Sequence, residues 1–205
     1  MPGELETARL RLRPLTWEDL PFFVALHADE RVAANLGHGK PRSAAETRDW
    51  LATILGWYQQ GGPGHLAVLL KETETLVGRC GLSRMEVEAG QVDVDGEGRA
   101  RAFWGRGSAP VGVTTTSVFE VGYTFHPDFW GRGLATEASR LMRDQAFTVW
   151  DQPRVISLIR ADNAASIRVA AKNGFTDRGE VEFFGRRYLR YQLTRAEWNQ
   201  SAKTR

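Results

Sequence analysis

The sequence predicts a mixed α/β fold, in which about seven strands form one sheet and helices flank it. Apolar residues recur with a period of two in some segments and at helical spacing in others. The two kinds of segment are interleaved, and two pairs of strand-like runs are separated by short stretches typical of hairpins. Because hairpins join antiparallel neighbours, we expect the sheet to be mixed and not purely parallel.

The first half of the chain predicts one strand, two helices and a hairpin. Leucines alternate with arginines between Arg9 and Leu15, which is typical of a strand. Thr16 with Asp19, and later Ser43 with Glu46, have the spacing of capping boxes, and residues with helical periodicity follow each pair. The runs HLAVLLK and TLVGRCGLSRM then flank a polar stretch, which predicts a hairpin.

The second half of the chain begins with a change in composition. Residues 86–117 are rich in Gly, Asp, Arg and Thr without apolar periodicity, so we expect an irregular insertion within a single domain spanning residues 1–205. Beyond it we expect the strand VFEVGYTFH, a helix from about Gly133, the strand RVISLIR and a short helix capped by Asn163. The runs GEVEFFG and RRYLRYQLTR predict a closing hairpin.

Composition and charge exclude several classes of protein. With 27 basic and 25 acidic residues, the formal charge of +2 is too near neutral to favour nucleic acid or an anionic membrane as a partner. No apolar run approaches the roughly 20 residues that a membrane helix needs, and the N-terminal residues lack the apolar region of a secretory signal. The single cysteine, Cys80, lies in an apolar stretch and is expected to be a buried structural thiol. We therefore expect a cytoplasmic protein.

The stretch HPDFWGRGLATEA carries the clearest chemical signal. A strand ends at a proline, a turn with Gly131 and Gly133 follows, and a helix begins. Glycines allow backbone N–H groups to approach an anion, and a helix N-terminus adds roughly half a positive charge, which suits a pyrophosphate. No lysine follows as in a P-loop, and the position in the chain does not suit a dinucleotide fingerprint. An ordinary strand–helix turn is the alternative from these residues alone.

This stretch resembles the acyl-CoA-binding motif of the GNAT N-acetyltransferase superfamily, Gln/Arg-x-x-Gly-x-Gly/Ala. Trp130 stands at the first place, Gly133 at the glycine and Ala135 at the last small residue. With Trp130 in place of Gln/Arg, the chain resembles the branch of ribosomal-protein N-terminal alanine and serine acetyltransferases, in which Pro-x-x-Trp-Gly-x-Gly precedes Glu-Ala. The segments ARLRLRPLTWEDL and NAASIRVAAKNGF are also similar to parts of that branch.

The resemblance implies a mixed, mostly antiparallel central sheet with flanking helices, acetyl-CoA as cosubstrate and no metal. It also implies an amine acceptor as partner. No nucleic acid or membrane partner is expected from the charge balance, and we expect a monomer or homodimer. The residues implied to bind acetyl-CoA lie on the strand end, the turn, the helix start and a later helix cap: Tyr123, Thr124, Phe125, Trp130, Gly131, Arg132, Gly133, Leu134, Ala135 and Asn163.

Two residues are candidates for catalysis. Glu120 lies in an otherwise apolar strand and could act as general base, while its alternative role is that of an edge or salt-bridged glutamate. Many members of the superfamily protonate the leaving thiolate with a tyrosine, and Ala170 occupies that place here. The resemblance implies Ser166 instead, although its hydroxyl could simply bond to backbone in the first helical turn.

These observations lead to one main hypothesis on function and one alternative. We expect an acyltransferase that moves an acetyl group from acetyl-CoA directly to a primary amine in a ternary complex. The acceptor is either a protein N-terminal amine or a small-molecule amine, and residues 86–117 are expected to shape its binding site. The alternative is a non-catalytic acyl-CoA-binding or sensing module, because the tyrosine is missing at Ala170.

Overall fold

The computed structural model describes residues 3–88, 100–104 and 112–203. The chain divides into two compact units, each built from two stretches. The first unit contains Met1–Leu82 and Gly122–Met142, and the second contains Ser83–Val121 and Arg143–Arg205. The expectation of a single domain stays a prediction.

Within the described residues the sheet contains nine strands, and six α-helices accompany it. The strands are β1 (Leu5–Glu6), β2 (Leu10–Pro14), β3 (His65–Leu70), β4 (Leu76–Glu88), β5 (Ala100–Trp104), β6 (Thr115–Phe125), β7 (Arg154–Ile159), β8 (Thr176–Phe183) and β9 (Arg186–Thr194). The helices are α1 (Leu20–Ala28), α2 (Glu30–Ala33), α3 (Ala44–Gln59), α4 (Leu134–Thr148), α5 (Ala164–Lys172) and α6 (Arg195–Lys203). One-turn 3-10 helices cover Trp17–Asp19 and Pro127–Phe129.

The predicted mixed, mostly antiparallel sheet is confirmed, but the expected number of about seven strands is wrong, because the described residues form nine. β6–β7 and β5–β8 are parallel pairs, and the other pairs with a defined register are antiparallel. The additional strands are β1, which is too short to show a period, and β5, which lies inside the expected insertion. Residues 86–117 are therefore not wholly irregular, while 89–99 and 105–111 lie outside the described residues.

In the first unit, helices cover a sheet of apolar residues. Strands β1 to β4 pair antiparallel in chain order. The side chains of Leu12 in β2, Phe23 in α1 and Leu51 in α3 are completely buried. Both predicted capping boxes form. The backbone N–H of Thr16 donates to the Asp19 carboxylate at 2.9 Å. Before α3, the backbone N–H of Ser43 donates to the Glu46 carboxylate at 2.7 Å.

Cys80 is a buried free thiol on β4, as predicted. Burial raises the pKa of this thiol to about 12, so it stays protonated and unreactive near neutral pH. Among the described residues, no helix has both the length and the apolar character needed to cross a membrane. The cytoplasmic location expected from the sequence stays a prediction.

The second unit contains the strand order β5-β8-β9-β7-β6. Strand β7 pairs with β9 along its whole length, and its parallel pairing with β6 joins Phe119 to Val155 and Glu120 to Ile156. One face of these strands holds an apolar cluster that includes Val118, Ile156 and Tyr188. Asn173 ends α5, and the helix α6 after β9 was not predicted from the sequence.

Candidate active site

The turn between β6 and α4 depends on its two glycines. Gly131 has a φ of 75° and Gly133 a φ of 77°, both in the left-handed region that side chains with a Cβ rarely adopt. Both residues are exposed, and within 4 Å the only side-chain atom near a Cβ placed on Gly133 would be Nη2 of Arg9, at 3.5 Å. The turn therefore keeps its backbone accessible on the surface of the first unit.

The backbone N–H groups of this turn are available to a ligand. Within the described residues, the five consecutive N–H groups from Gly131 to Ala135 donate to no protein acceptor. The first bond of α4 runs from Glu137 N to Gly133 O at 3.1 Å, as expected for a helix whose first N–H groups have no partner within the helix. A run of donors at the start of a 15-residue helix is the arrangement that binds phosphate groups.

The end of β6 presents one backbone edge to β4 and the other away from it. His126 N donates to Val77 O at 2.8 Å on the β4 side. Because successive backbone groups in a strand alternate in direction, the N–H and C=O groups of Tyr123 and Phe125 point to the opposite edge. The Phe125 carbonyl accepts from the indole Nε1 of Trp130 at 2.8 Å, so Trp130 joins the strand end to the turn.

A close approach of backbones holds this strand end in place. A Cβ on Gly78 of β4 would collide with the Thr124 carbonyl and would lie 2.8 Å from the Phe125 Cα. Only glycine permits this contact between β4 and β6. The Thr124 side chain is buried, and its hydroxyl has no hydrogen-bond partner among the residues that the structure describes. Thr124 therefore belongs to the interior of the first unit, its backbone groups lie on the β4 edge, and its contact with acetyl-CoA stays a prediction.

Glu120 lies in the second unit, on the part of β6 that pairs with β7. It is half-buried between the buried Phe119 and Val121, which agrees with the prediction of a carboxylate in an apolar strand. Burial raises the pKa of Tyr188 to about 12, and the negative charge of Glu120 adds to that rise. Tyr188 is thus an electrostatic neighbour of Glu120 that sequence reasoning missed, because β9 follows β6 only after 60 or more residues.

Asn163 and Ser166 lie together at the start of α5 in the second unit. The Asn163 side-chain oxygen accepts from Ser166 N at 3.0 Å, so Asn163 caps the helix as predicted. In the described part of the chain, the Ser166 hydroxyl makes no hydrogen bond to backbone or side chain. It is half-buried and remains available as a donor. Ala170 is buried in the packing of α5, which leaves no hydroxyl at that place.

The structure thus gathers the proposed cofactor residues from Tyr123 to Ala135 into the first unit, while Glu120, Asn163 and Ser166 belong to the second. Their roles remain predictions. Thr7 and Arg9 contact the first turn of α4 and were not identified from the sequence, since 128 residues separate Arg9 from Glu137. No group of three or more His, Cys, Asp or Glu side chains in the described ranges could hold a metal ion.

Comparison with known families agrees with this geometry. The family model described as "Acetyltransferase (GNAT) domain" matches residues 9–176, which is most of the chain. The protein belongs to the GNAT acetyltransferase family. This GNAT protein is also similar to the FsC-acetyl coenzyme A-N(2)-transacetylase of Aspergillus fumigatus, with 29% identity over 95% of this chain and 77% of that protein.

Solved structures of acetyltransferases share the fold of this GNAT protein. An acetyltransferase from Agrobacterium tumefaciens superposes with a TM-score of 0.70, 26% identity and 95% coverage of both chains. A ribosomal-protein-S5-alanine acetyltransferase from Vibrio fischeri has a TM-score of 0.65 and 14% identity, covering 96% of this chain and 99% of that one, which shows the fold alone. Membership of the family identifies an acyltransferase, and GNAT enzymes use acetyl-CoA and amine acceptors.

Proposed function

We propose that this GNAT enzyme transfers the acetyl group of acetyl-CoA directly to a primary amine within a ternary complex. The observation that supports it most is the run of N–H groups from Gly131 to Ala135 at the start of α4, which have no partner within the described part of the chain. These donors and the helix dipole suit the pyrophosphate of coenzyme A. The backbone edge at Tyr123 and Phe125 suits the amide groups of pantetheine, which can pair with a strand edge in the manner of a neighbouring strand.

Glu120 is the proposed general base. An acceptor amine attacks the thioester only in its neutral form, and at pH 7 an α-amine is neutral about one time in ten while a lysine amine is neutral about once in several thousand molecules. Glu120 accepts the proton from the attacking nitrogen, either directly or through a water molecule, as the C–N bond forms and the C–S bond breaks. Its half-buried position on β6, three residues before Tyr123, supports this role.

Ser166 is the proposed donor to the leaving sulfur. Its hydroxyl makes no hydrogen bond within the described residues, and Asn163 fixes the backbone on which it sits. A hydrogen bond to a charged group contributes roughly 1.5–3 kcal/mol, which would favour departure of the thiolate. Coenzyme A then leaves as the thiol, and the acetylated amine is the second product. Asn163 is proposed to contact pantetheine in addition to capping α5.

The proposed acceptor is a protein N-terminal amine or a small-molecule amine. The motif with Trp130 favours the first, because it resembles ribosomal-protein acetyltransferases, and the Vibrio fischeri structure is named for such an activity. The name of the Aspergillus relative, an N(2)-transacetylase, favours the second acceptor class, a small-molecule amine. Both are primary or N-terminal amines for which a general base gives the same advantage.

A coupled assay of thiol release tests this function. The enzyme is incubated with acetyl-CoA and a panel of peptides with free N-terminal alanine or serine, polyamines, aminoglycosides and amino-acid-like amines, and free thiol and acetylated product are both measured. We expect equal amounts of the two with at least one acceptor class. The same peptides with blocked N-termini provide the control. Acetyl-CoA binding without acetylation of any amine in the panel would contradict the proposal.

A further inference from the structure

The carboxylate of Glu137, in the first turn of α4, is held by the turn that joins β1 to β2. It accepts hydrogen bonds from the Thr7 hydroxyl at 2.5 Å, from the backbone N–H of Arg9 at 2.9 Å and from Arg9 Nε at 2.7 Å. Arg9 Nη2 completes the ion pair at 2.7 Å. All of these residues belong to the first unit. The contacts leave Glu137 directed towards β1 and β2.

The same guanidinium makes a second contact, to the backbone of the glycine turn. Arg9 Nη1 donates to the Arg132 carbonyl at 3.0 Å. In a planar trans peptide the carbonyl and the following N–H point in opposite directions. A fixed Arg132 carbonyl therefore fixes the direction of the Gly133 N–H, which is one of the donors proposed for the pyrophosphate. Gly133, which follows this peptide, would otherwise allow it to rotate more easily than a residue with a Cβ.

Arg9 also balances a charge that would oppose phosphate binding. Burial alone raises the pKa of Glu137, but hydrogen bonds from Thr7 and Arg9 outweigh burial and lower it, so the carboxylate is ionised near neutral pH. A carboxylate near the N-terminus of α4 stabilises the empty helix and repels a bound phosphate. The ion pair with Arg9 reduces that repulsion, while the Glu137 side chain keeps only 18% of its surface exposed.

We propose that Arg9 is a positioning residue of the acetyl-CoA site, which orients the Gly133 N–H through the Arg132 carbonyl and neutralises Glu137 beside the bound phosphates. This inference rests on the proposed function, because it assumes that the turn before α4 holds the pyrophosphate. It assigns to β1, β2 and their turn a part in cofactor binding. Arg9 itself is exposed and lies 3.5 Å from the position of a Cβ on Gly133.

Calorimetric titration with coenzyme A tests the inference on four proteins: wild type, Arg9→Gln, Glu137→Gln and the double variant. We expect Arg9→Gln to raise the Kd about tenfold or more, because it loses the contact to Arg132 and leaves an unpaired carboxylate. The double variant should bind more tightly than Arg9→Gln, since the repulsive charge is also gone. The Kd of Arg9→Lys should lie between those of wild type and Arg9→Gln, because lysine keeps the charge but cannot form the bidentate contacts of a guanidinium.

Arg11→Gln is the matched control, because Arg11 lies on β2 and pairs with Glu74 and Glu4 instead. It removes an arginine whose ion pairs involve neither Glu137 nor the glycine turn, and we expect coenzyme A binding at the wild-type Kd. An unchanged Kd in a folded Arg9→Gln would overturn the inference, and so would a double variant that binds no better than Arg9→Gln. A wild-type protein that binds no coenzyme A would contradict the proposed function itself, so the two failures are distinguishable.

Discussion

The two long helices α3 and α4 both start within the first unit, but they begin in opposite ways. Before α3, Ser43 Oγ accepts from Glu46 N at 3.2 Å and the Glu46 carboxylate accepts from Ser43 N at 2.7 Å, so the chain satisfies its own helix start. Before α4, glycine replaces the capping residue, and the nearby carboxylate of Glu137 is bound by Arg9. A helix start that the chain could cap but leaves open is suited to receive an anion from outside.

The turn before α4 that contains Gly131 and Gly133 is called the open turn below. Placing a carboxylate in the open turn should have the largest effect on coenzyme A binding. Gly133→Asp introduces a negative charge among the N–H donors and a side chain at a φ of 77°, so we expect binding of coenzyme A to be lost. Calorimetry on the folded variant measures this. Gly185→Asp is the control, because Gly185 has a φ of 67° at the tip between β8 and β9 with no atom near an added Cβ. A Gly133→Asp protein with wild-type affinity would remove the phosphate site.

Glu120→Gln should slow the chemical step without changing the binding of coenzyme A at the open turn. We expect turnover to fall at least about tenfold near neutral pH, with a smaller loss at higher pH where more of the amine is neutral without a base. The Kd for coenzyme A should hardly change. Glu180→Gln on β8 is the control, since that carboxylate is exposed and lies 3.9 Å from Arg187. A pH–rate profile parallel to that of the wild type at every pH would exclude Glu120 as the base.

Acid should lower the free energy of unfolding through two buried histidines of the first unit, neither of which lies in the open turn. Burial, followed by the charges of Arg79 and Arg42, lowers the pKa of His27 from 6.5 to about 2. Burial, followed by the charges of Arg79, His27 and Arg42, lowers the pKa of His65 well below its usual value. His27 contacts Thr47 at 3.3 Å, and Arg79 contacts His65 at 2.7 Å. The unfolded chain takes up these protons below about pH 6.5 whereas the folded protein does not, so stability is lost as the pH falls.

Between pH 7 and pH 5, protonation of His27 in the unfolded chain should cost about 2 kcal/mol of unfolding free energy, and His65 should add to this loss. Denaturant unfolding at pH 7, 6 and 5 measures the loss, in a range where ordinary carboxylates stay ionised. His27→Gln should show a smaller dependence on pH than the wild type. Equal unfolding free energies of the wild type at pH 7 and pH 5 would show that the two histidines are protonated in the folded protein as readily as in the unfolded chain.

Structures that depend on neighbouring residues could be predicted from the sequence, whereas contacts between residues far apart in the chain could not. The turn before α4, both capping boxes and the Asn163 cap lie within a few residues of the glycine or polar side chain that forms them, and these local structures were predicted. The ion pair of Arg9 with Glu137 joins residues 128 apart and has no local signal. Sequence reasoning could propose a phosphate site but could not identify what supports it.

The elements that were missed have long-range causes of the same kind. Strand β5 is recognised by its pairing with Val87 on β4 and Val181 on β8, not by its own period. Helix α6 has one large apolar residue, Trp198, which stacks on Phe147 at 5.1 Å and donates to Asp144 at 2.7 Å. Such a helix is stabilised by tertiary contacts and lacks the apolar stripe that predicts a helix from sequence.

Removing the cap of α3 should have the smallest effect and should not affect the ligand. Ser43→Ala removes the hydroxyl that accepts from Glu46 N, so we expect a loss of about 1 kcal/mol of stability. The affinity for coenzyme A should equal that of the wild type, because a capped helix start contributes to folding alone. Thermal unfolding and calorimetry on the same sample test both expectations. A weakened affinity without a loss of stability would mean that the two helix starts do not differ in function.

The central claim is that the open turn before α4 binds the phosphate groups of the cosubstrate. The most direct measurement compares the affinities of pantetheine and 4′-phosphopantetheine, which differ by a single phosphate, in wild type and in Gly133→Asp. We predict that the phosphate strengthens binding to the wild type at least about tenfold, as expected for hydrogen bonds to a charged group, and that Gly133→Asp loses this increment. Equal affinity of the wild type for the two compounds would contradict the claim.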